Sequence, residues 1–394
     1  MNRRNLIIGL SAAPLLTMAG RLFAAPATNV RLLVVFLRGG YDATNLLVPV
    51  SSRFYYETRP NIAVAKPGTG ANAALAIDAD WGLHPALRDT IFPLFQKRQA
   101  AFVAFAGAND LSRSHFETQD SIEMGQPLEG SRKFDSGFMN RLVALLNGAK
   151  PMAFTNQLPL IFRGVVQVPN MAVRSLSRPA IDARQQAIIA AMYKGTPLAA
   201  QVDKGFGVRH EIMREMADEM EAASRNAITA RGFELEARRI AKLMNEKFNV
   251  GFVDVGGWDT HVGQGGGVGY LAGRLEELSR GLAALADEMG SVWRDTVVVV
   301  ISEFGRTFRE NGNRGTDHGH GSVYWVLGGS IQGGRVAGRQ VHVEQATLFQ
   351  NRDYPVLNEY RAVLGGLFMS MYGLNAAQIE AVFPGVQPQS LALT

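Results

Sequence analysis

Hydrophobic positions along this chain follow two rhythms. Short, mostly apolar runs occupy residues 30–37, 101–106, 249–255, 296–301 and 322–328. Runs of this length, rich in β-branched residues, suit strands buried on both faces of a parallel sheet. Between them lie helical patterns. Residues 85–98 open on Pro85, which suits a first helical position, and 207–247 carries two long, charged, Ala- and Met-rich helices. In 271–289 the apolar residues Leu271, Leu275, Leu278, Leu282 and Leu285 recur at three-to-four spacing, which marks one buried helix face. Strands alternating with helices predict an α/β fold with a mostly parallel central sheet flanked by helices. The stretch 147–200 has scattered prolines and weak periodicity, and reads as an insertion within one domain spanning 26–394.

The first apolar run is of another kind. Leu6 to Ala19 follows directly on Arg3 and Arg4, with no acidic residue before Asp42. The run is shorter than the roughly 20 apolar residues a spanning helix needs and is broken by Pro14. Small residues at Ala24, Ala25 and Ala27 supply a cleavage region. Residues 1–25 therefore read as a removable export signal, and the arginine pair favours the twin-arginine translocation machinery as its partner. The mature chain is then expected in the periplasm or outside the cell.

Removing that segment changes the charge. The full chain has 40 basic and 35 acidic side chains, and the signal carries Arg3, Arg4 and Arg21 with no acid, leaving 37 against 35. The basic residues form no cluster of the kind nucleic-acid binding needs, and no later segment is long and apolar enough to span a bilayer. With no cysteine, a thiolate metal site, a cysteine nucleophile and a cysteine-derived sulfatase nucleophile are all excluded. A mature chain of this length buries a core large enough to need no disulfides.

In open α/β sheets ligands gather at the carboxyl ends of strands, so the polar residues following each apolar run carry the chemistry. Asp42 follows the first run. Ser112, Ser114 and His115 follow the second, Asp259 and His261 the third, and Glu303 and Arg306 the fourth, while Asp317, His318 and His320 precede the fifth. Histidines with carboxylates and no thiol are the donors of zinc, manganese or iron sites.

The pieces Leu37-Arg38-Gly39-Gly40-Tyr41-Asp42, Ser112-Arg113-Ser114-His115-Phe116, Gly257-Trp258-Asp259-Thr260-His261, Ser302-Glu303-Phe304-Gly305-Arg306-Thr307 and Gly315-Thr316-Asp317-His318-Gly319 resemble the domain of unknown function 1501 family. Its members are exported bacterial proteins grouped with the alkaline phosphatase and sulfatase superfamily. The resemblance implies an alkaline-phosphatase-like fold and an exported hydrolase of phosphate or sulfate esters on an anionic small molecule or polymer. It also implies one or two divalent ions, with zinc, manganese or calcium as candidates.

The superfamily pattern places an Asp after the first strand, a Ser or Thr nucleophile at a helix start, an Asp and a His, an Asp-His pair ending a strand, and a last His. Asp42 fits the first place, Ser114 or Ser112 the second, and Asp259 with His261 the third. The pair admits two alignments. Asp317-His318 matches by letters, whereas Glu303-Phe304 sits directly after the apolar run 296–301. Position on the sheet favours Glu303 as a ligand, with His318 or His320 as the last ligand and Arg306 as the group holding the substrate anion. Phe304 then stands where a histidine is expected, which favours the alternative of a non-catalytic binding or assembly protein. Ser114, three residues before Glu117, also forms a capping box.

Overall fold

A computed structural model describes residues 30–129, 132–173, 183–207 and 232–394. The export signal at 1–25, with Arg3 and Arg4, and much of the helical stretch predicted at 207–247 lie outside the described residues. The strands are β1 (Arg31–Leu37), β2 (Leu47–Pro49), β3 (Leu75–Ala76), β4 (Trp81–Leu83), β5 (Ala100–Gly107) and β6 (Pro151–Ala153). They continue with β7 (Val250–Val255), β8 (Thr296–Ser302), β9 (Ser322–Gly328), β10 (Val336–Ala337) and β11 (Asn358–Glu359). The central sheet runs β10-β5-β9-β8-β1-β7-β6, with β11 also on β5. It is mixed and mostly parallel: only β9 runs antiparallel, to β5 on one side and β8 on the other.

The predicted apolar runs are the five strands at the heart of this sheet, and their alternation supplies two cores. On β1, Leu33, Val35 and Leu37 face one side, packed with Ile240 and Leu243 of the helix Phe233–Glu246 and with Leu275, Leu278 and Leu282 of the helix Tyr270–Met289. The small antiparallel sheet β2-β4-β3 joins that layer through Leu47, Leu75 and Leu83. Leu32, Val34 and Phe36 face the other side, against the helices Phe138–Leu145 and Tyr360–Tyr372. This period of two is why an unbroken apolar run is needed: both faces are interior.

Two expectations change in detail. The helix predicted over 85–98 is split into a 3-10 turn at Pro85–Leu87 and an α-helix at Ile91–Gln96. Restarting at Ile91 places Pro93 in a first turn, where its missing N–H costs nothing. The stretch 147–200, read as an insertion, supplies the edge strand β6, paired in parallel with β7. Three residues are too few to show a periodicity. No helix among the described residues is long and apolar enough to cross a membrane.

Because β1, β5, β7 and β8 share one direction, their carboxyl ends open on one edge of the sheet. The segments 38–42, 108–115, 256–261 and 303–321 all meet there.

Candidate metal centre

Three histidines converge on this edge, each held from behind. His115 opens the helix His115–Met124, and its Nδ1 lies 2.8 Å from Glu303 Oε1. His318 Nδ1 lies 2.9 Å from the carbonyl oxygen of Arg113, and His261 Nδ1 lies 3.2 Å from Asp317 Oδ1. Carboxylate and carbonyl oxygens only accept, so a neutral ring at His115 or His318 carries its proton on Nδ1 and presents a lone pair on Nε2, whereas at His261 a carboxylate oxygen faces Nδ1 and Nε2 alike. Those Nε2 atoms point inward. His261 Nε2 is 3.1 Å from His318 Nε2 and 2.9 Å from Asp259 Oδ1. His318 Nε2 is 3.4 Å from Asp259 Oδ1, and His115 Nε2 is 3.6 Å from Asp259 Oδ2.

Lone pairs brought this close repel unless a cation lies among them. The ligand atoms of His115, Asp259 and His318 all fall within 4.8 Å of one another, and the two imidazole-to-carboxylate distances, 3.6 and 3.4 Å, are those of ligands at about 2.0–2.2 Å from one ion. His115 Nε2 is buried and has no hydrogen-bond partner. The donor set, three imidazoles and a carboxylate, therefore fits a divalent ion.

Local backbone explains how distant residues meet here. Gly39 has φ +124°, and a Cβ on it would lie 2.7 Å from the Asp259 nitrogen, so only glycine allows the β1 end to pass under the ligand loop. The connection from β8 to β9 doubles back: Arg306 and His318 form an antiparallel bridge, and Thr307 N donates to Asp317 O at 2.9 Å. A Cβ on Gly319 would stand 2.4 Å from the Arg306 carbonyl carbon, so this return also depends on glycine. Arg113 adopts a left-handed backbone, φ +51°, rare for a side chain of its size. Its carbonyl is the one that holds His318, which places the strain at the site.

Charge is tuned accordingly. The bond to Glu303 raises the His115 pKa above its ordinary value, chiefly by stabilising the charged ring. Burial alone would raise Glu303, but bonds from His115, Gln119 and the Gly39 N–H hold it below the usual range. Burial likewise opposes ionisation of Asp259, and Arg306 reverses it, so the carboxyl stays low. Burial lowers His318, with His115 and Arg306 adding to the effect, which keeps its Nε2 lone pair free near neutrality.

Several expected roles look different in place. Asp42 is wholly buried in a two-pronged ion pair with Arg59, and its Oδ2 also accepts from Gln264 Nε2 at 2.6 Å. It is spoken for, and stands apart from the converging atoms. Glu303 lies behind His115 rather than among them: its Oε1 accepts from Gly39 N and Gln119 Nε2 as well as His115, and its Oε2 from Ser302 Oγ. Asp317 stands in the same relation to His261. Arg306 is buried and bonds Asp259 Oδ1 at 2.6 Å, so it orients a ligand carboxylate where an anion clamp was expected. His320 turns away, against the Phe349 ring, and burial lowers its pKa to about 4. Ser114 caps its helix, accepting from Glu117 N at 3.4 Å. Phe304 packs on the rings of both His115 and His318.

Sequence reasoning left His115 undecided between ligand and bystander, and passed over Arg59, Gln119, Gln264 and Thr316. His115 had a signal, since it directly follows the Ser-Arg-Ser piece beyond a strand end. Gln264 is the one amide in a glycine-rich loop. Arg59 had none.

Over residues 29–383 the chain matches the family described as "Protein of unknown function (DUF1501)", and it belongs to that family. No curated protein matches it. Among solved structures, the chain is similar to Ps i-CgsB, crystallised in complex with k-i-k-neocarrahexaose. That likeness has 9% identity and a TM-score of 0.37, and covers 89% of this chain and 73% of that one.

Proposed function

We propose that this family member is an exported, metal-dependent hydrolase of phosphate or sulfate esters, its ion held by His115, Asp259 and His318 with His261 beside them. One observation supports the reading: three imidazoles whose Nδ1 atoms lie against oxygens, with their Nε2 atoms turned toward one carboxylate. A divalent ion there would supply Lewis-acid polarisation and an acidified water. The chain's own residues do the rest. Glu303, Asp317 and the Arg113 carbonyl fix ring orientation, as partners of ligand histidines do. Arg306 holds one side of Asp259, and Phe304 keeps water from the backs of two rings. An anionic ester is the substrate class that a cationic centre and the superfamily resemblance together favour.

Ser114 is the side-chain nucleophile of this reading, one residue from His115 at a helix start that stabilises anions. Its Oγ would attack phosphorus or sulfur and displace the alcohol, which takes up the hydroxyl proton, and water would then hydrolyse the seryl ester to free phosphate or sulfate and the serine hydroxyl. Ser114→Ala tests it. Lost turnover of aryl phosphates or sulfates with Co2+ content intact assigns the attack to Ser114, loss only in Ser112→Ala assigns it to Ser112, and turnover retained in both assigns it to water. A second reading, a metal-holding protein without catalysis, is favoured by Phe304 and by the commitment of Arg306 to Asp259. Full metal occupancy with no turnover across a panel of such esters would establish it. Export is tested separately: changing Arg3 and Arg4 to Lys should strand the precursor in the cytoplasm, and normal periplasmic yield would refute the twin-arginine route.

A further inference from the structure

We propose that Gln264 is a positioning residue for this centre, the buried joint through which the Arg59–Asp42 pair fixes the carboxylate of Asp259. The proposal rests on the metal-centre reading above. Gln264 is fully buried in the loop between β7 and the helix Tyr270–Met289. Its Nε2 donates to Asp42 Oδ2 at 2.6 Å, and its Oε1 accepts from Thr260 Oγ1 and Thr316 Oγ1, both at 2.9 Å. Thr316 Oγ1 in turn accepts from Arg306 Nε at 3.2 Å, and Arg306 Nη1 donates to Asp259 Oδ1 at 2.6 Å.

Proton placement along this chain is forced. A carboxylate with Arg59 on it only accepts, so the amide must turn its NH2 toward Asp42. Its oxygen then faces both threonines, whose hydroxyl protons must point at it. Thr316 is left with lone pairs for the Arg306 Nε–H, and the guanidinium has one orientation. Asp42, Arg59, Gln264, Thr260, Thr316 and Arg306 are all buried, while Asp259 at the far end is exposed. Any rotation of Arg306 would strand a buried donor away from water, a costly state, so the network sets where Asp259 Oδ1 stands. Linked buried networks of this kind act as units.

The test uses the full mature chain and Co2+ alone as probe, reading affinity by chelator competition and ligand geometry by visible absorption. Gln264→Met should weaken Co2+ binding about tenfold, the lower end for partners behind a ligand, and shift the absorption bands. In an Asp259→Asn background the same change should add less than about twofold, because its route to the ion is already cut. If Gln264→Met does not fold, Thr316→Val, which conserves shape, carries the same expectations. A folded variant with unchanged affinity and bands, or with an equal loss in the Asp259→Asn background, overturns the proposal. A parent protein that binds no Co2+ overturns the metal centre and this inference with it, whereas binding by parent and variants alike overturns the inference alone.

Discussion

Asp42, beyond β1, and Asp259, beyond β7, leave neighbouring strand ends, and each is bonded to a buried arginine. Arg59 grips both oxygens of Asp42, Gln264 takes a further bond, and neither side chain of the ion pair touches solvent. Arg306 takes one oxygen of Asp259 from behind and leaves a side chain 44% exposed among three imidazoles. A buried ion pair whose bonds are all committed is structure; the same pair with one face open is a ligand site. The sequence around both is alike, an aspartate shortly after an apolar run and a glycine pair. What separates them is the direction from which the arginine arrives.

Breaking the closed pair should have the larger effect on stability. Arg59→Met leaves a wholly buried carboxylate without its cation, and should cost about 3–5 kcal/mol in urea unfolding. Adding Asp42→Leu to the same chain should recover a large part, since replacing both members of such a pair is far milder. A cost below about 1 kcal/mol for Arg59→Met would mean that the pair is not sealed. Asp259→Asn should do the converse. Unfolding of the metal-free protein should move less than for Arg59→Met, because the amide oxygen of Asn can still accept from buried Arg306, while Co2+ affinity falls by about a hundredfold or more, beyond what outer partners cause.

The carboxylates behind the rings sharpen the contrast at smaller scale. Glu303→Gln and Asp317→Asn should each lower Co2+ affinity about tenfold, the buried Glu303 more than the exposed Asp317. Metal loss in Glu303→Gln as complete as in Asp259→Asn would make Glu303 a direct ligand.

The smallest effects come with pH. Co2+ affinity should fall as pH drops through the raised pKa of His115, because the proton occupies the same ring. For the metal-free fold the signs differ by residue. Burial lowers His84 and His320 to about 4, so between pH 6.5 and 4 the unfolded chain binds protons that the folded chain refuses. Their share of stability is complete above 6.5 and is lost as pH falls toward 4. His115, raised, contributes in the opposite sense: its share is present below 6.5 and fades as pH climbs past its folded value. Urea midpoints at pH 7.5, 5.5 and 4.5 should therefore decline, and a rise on acidification would show that the buried imidazoles do not control the balance.

The layered sheet was legible because burial on two faces leaves its mark in each strand's own residues, as in Val297–Ile301. The site was legible only as a set of segments. Position directly after the run 296–301 favoured Glu303 over Asp317, whereas the bridge between Arg306 and His318, a pairing no local pattern encodes, brings Asp317 back to the same edge. Each carboxylate lies against a histidine Nδ1. Asp42 looked like a ligand because its own sequence is silent about Arg59, which arrives from a separate helix end. Composition could say which donors exist, but not which of them would already be taken.

The central place of β1 also sets a clock. Its partners in the sheet are β7 and β8, with Leu32 opposite both Val250 and Val297, so β1 waits for strands made far downstream of it. His115 and His318 are about 200 residues apart, and at roughly 5–20 residues per second the second emerges some ten to forty seconds after the first. In that interval the cluster lacks His318. An ion would find the full donor set only once that residue is made, and a chain interrupted before it lacks one imidazole of the three.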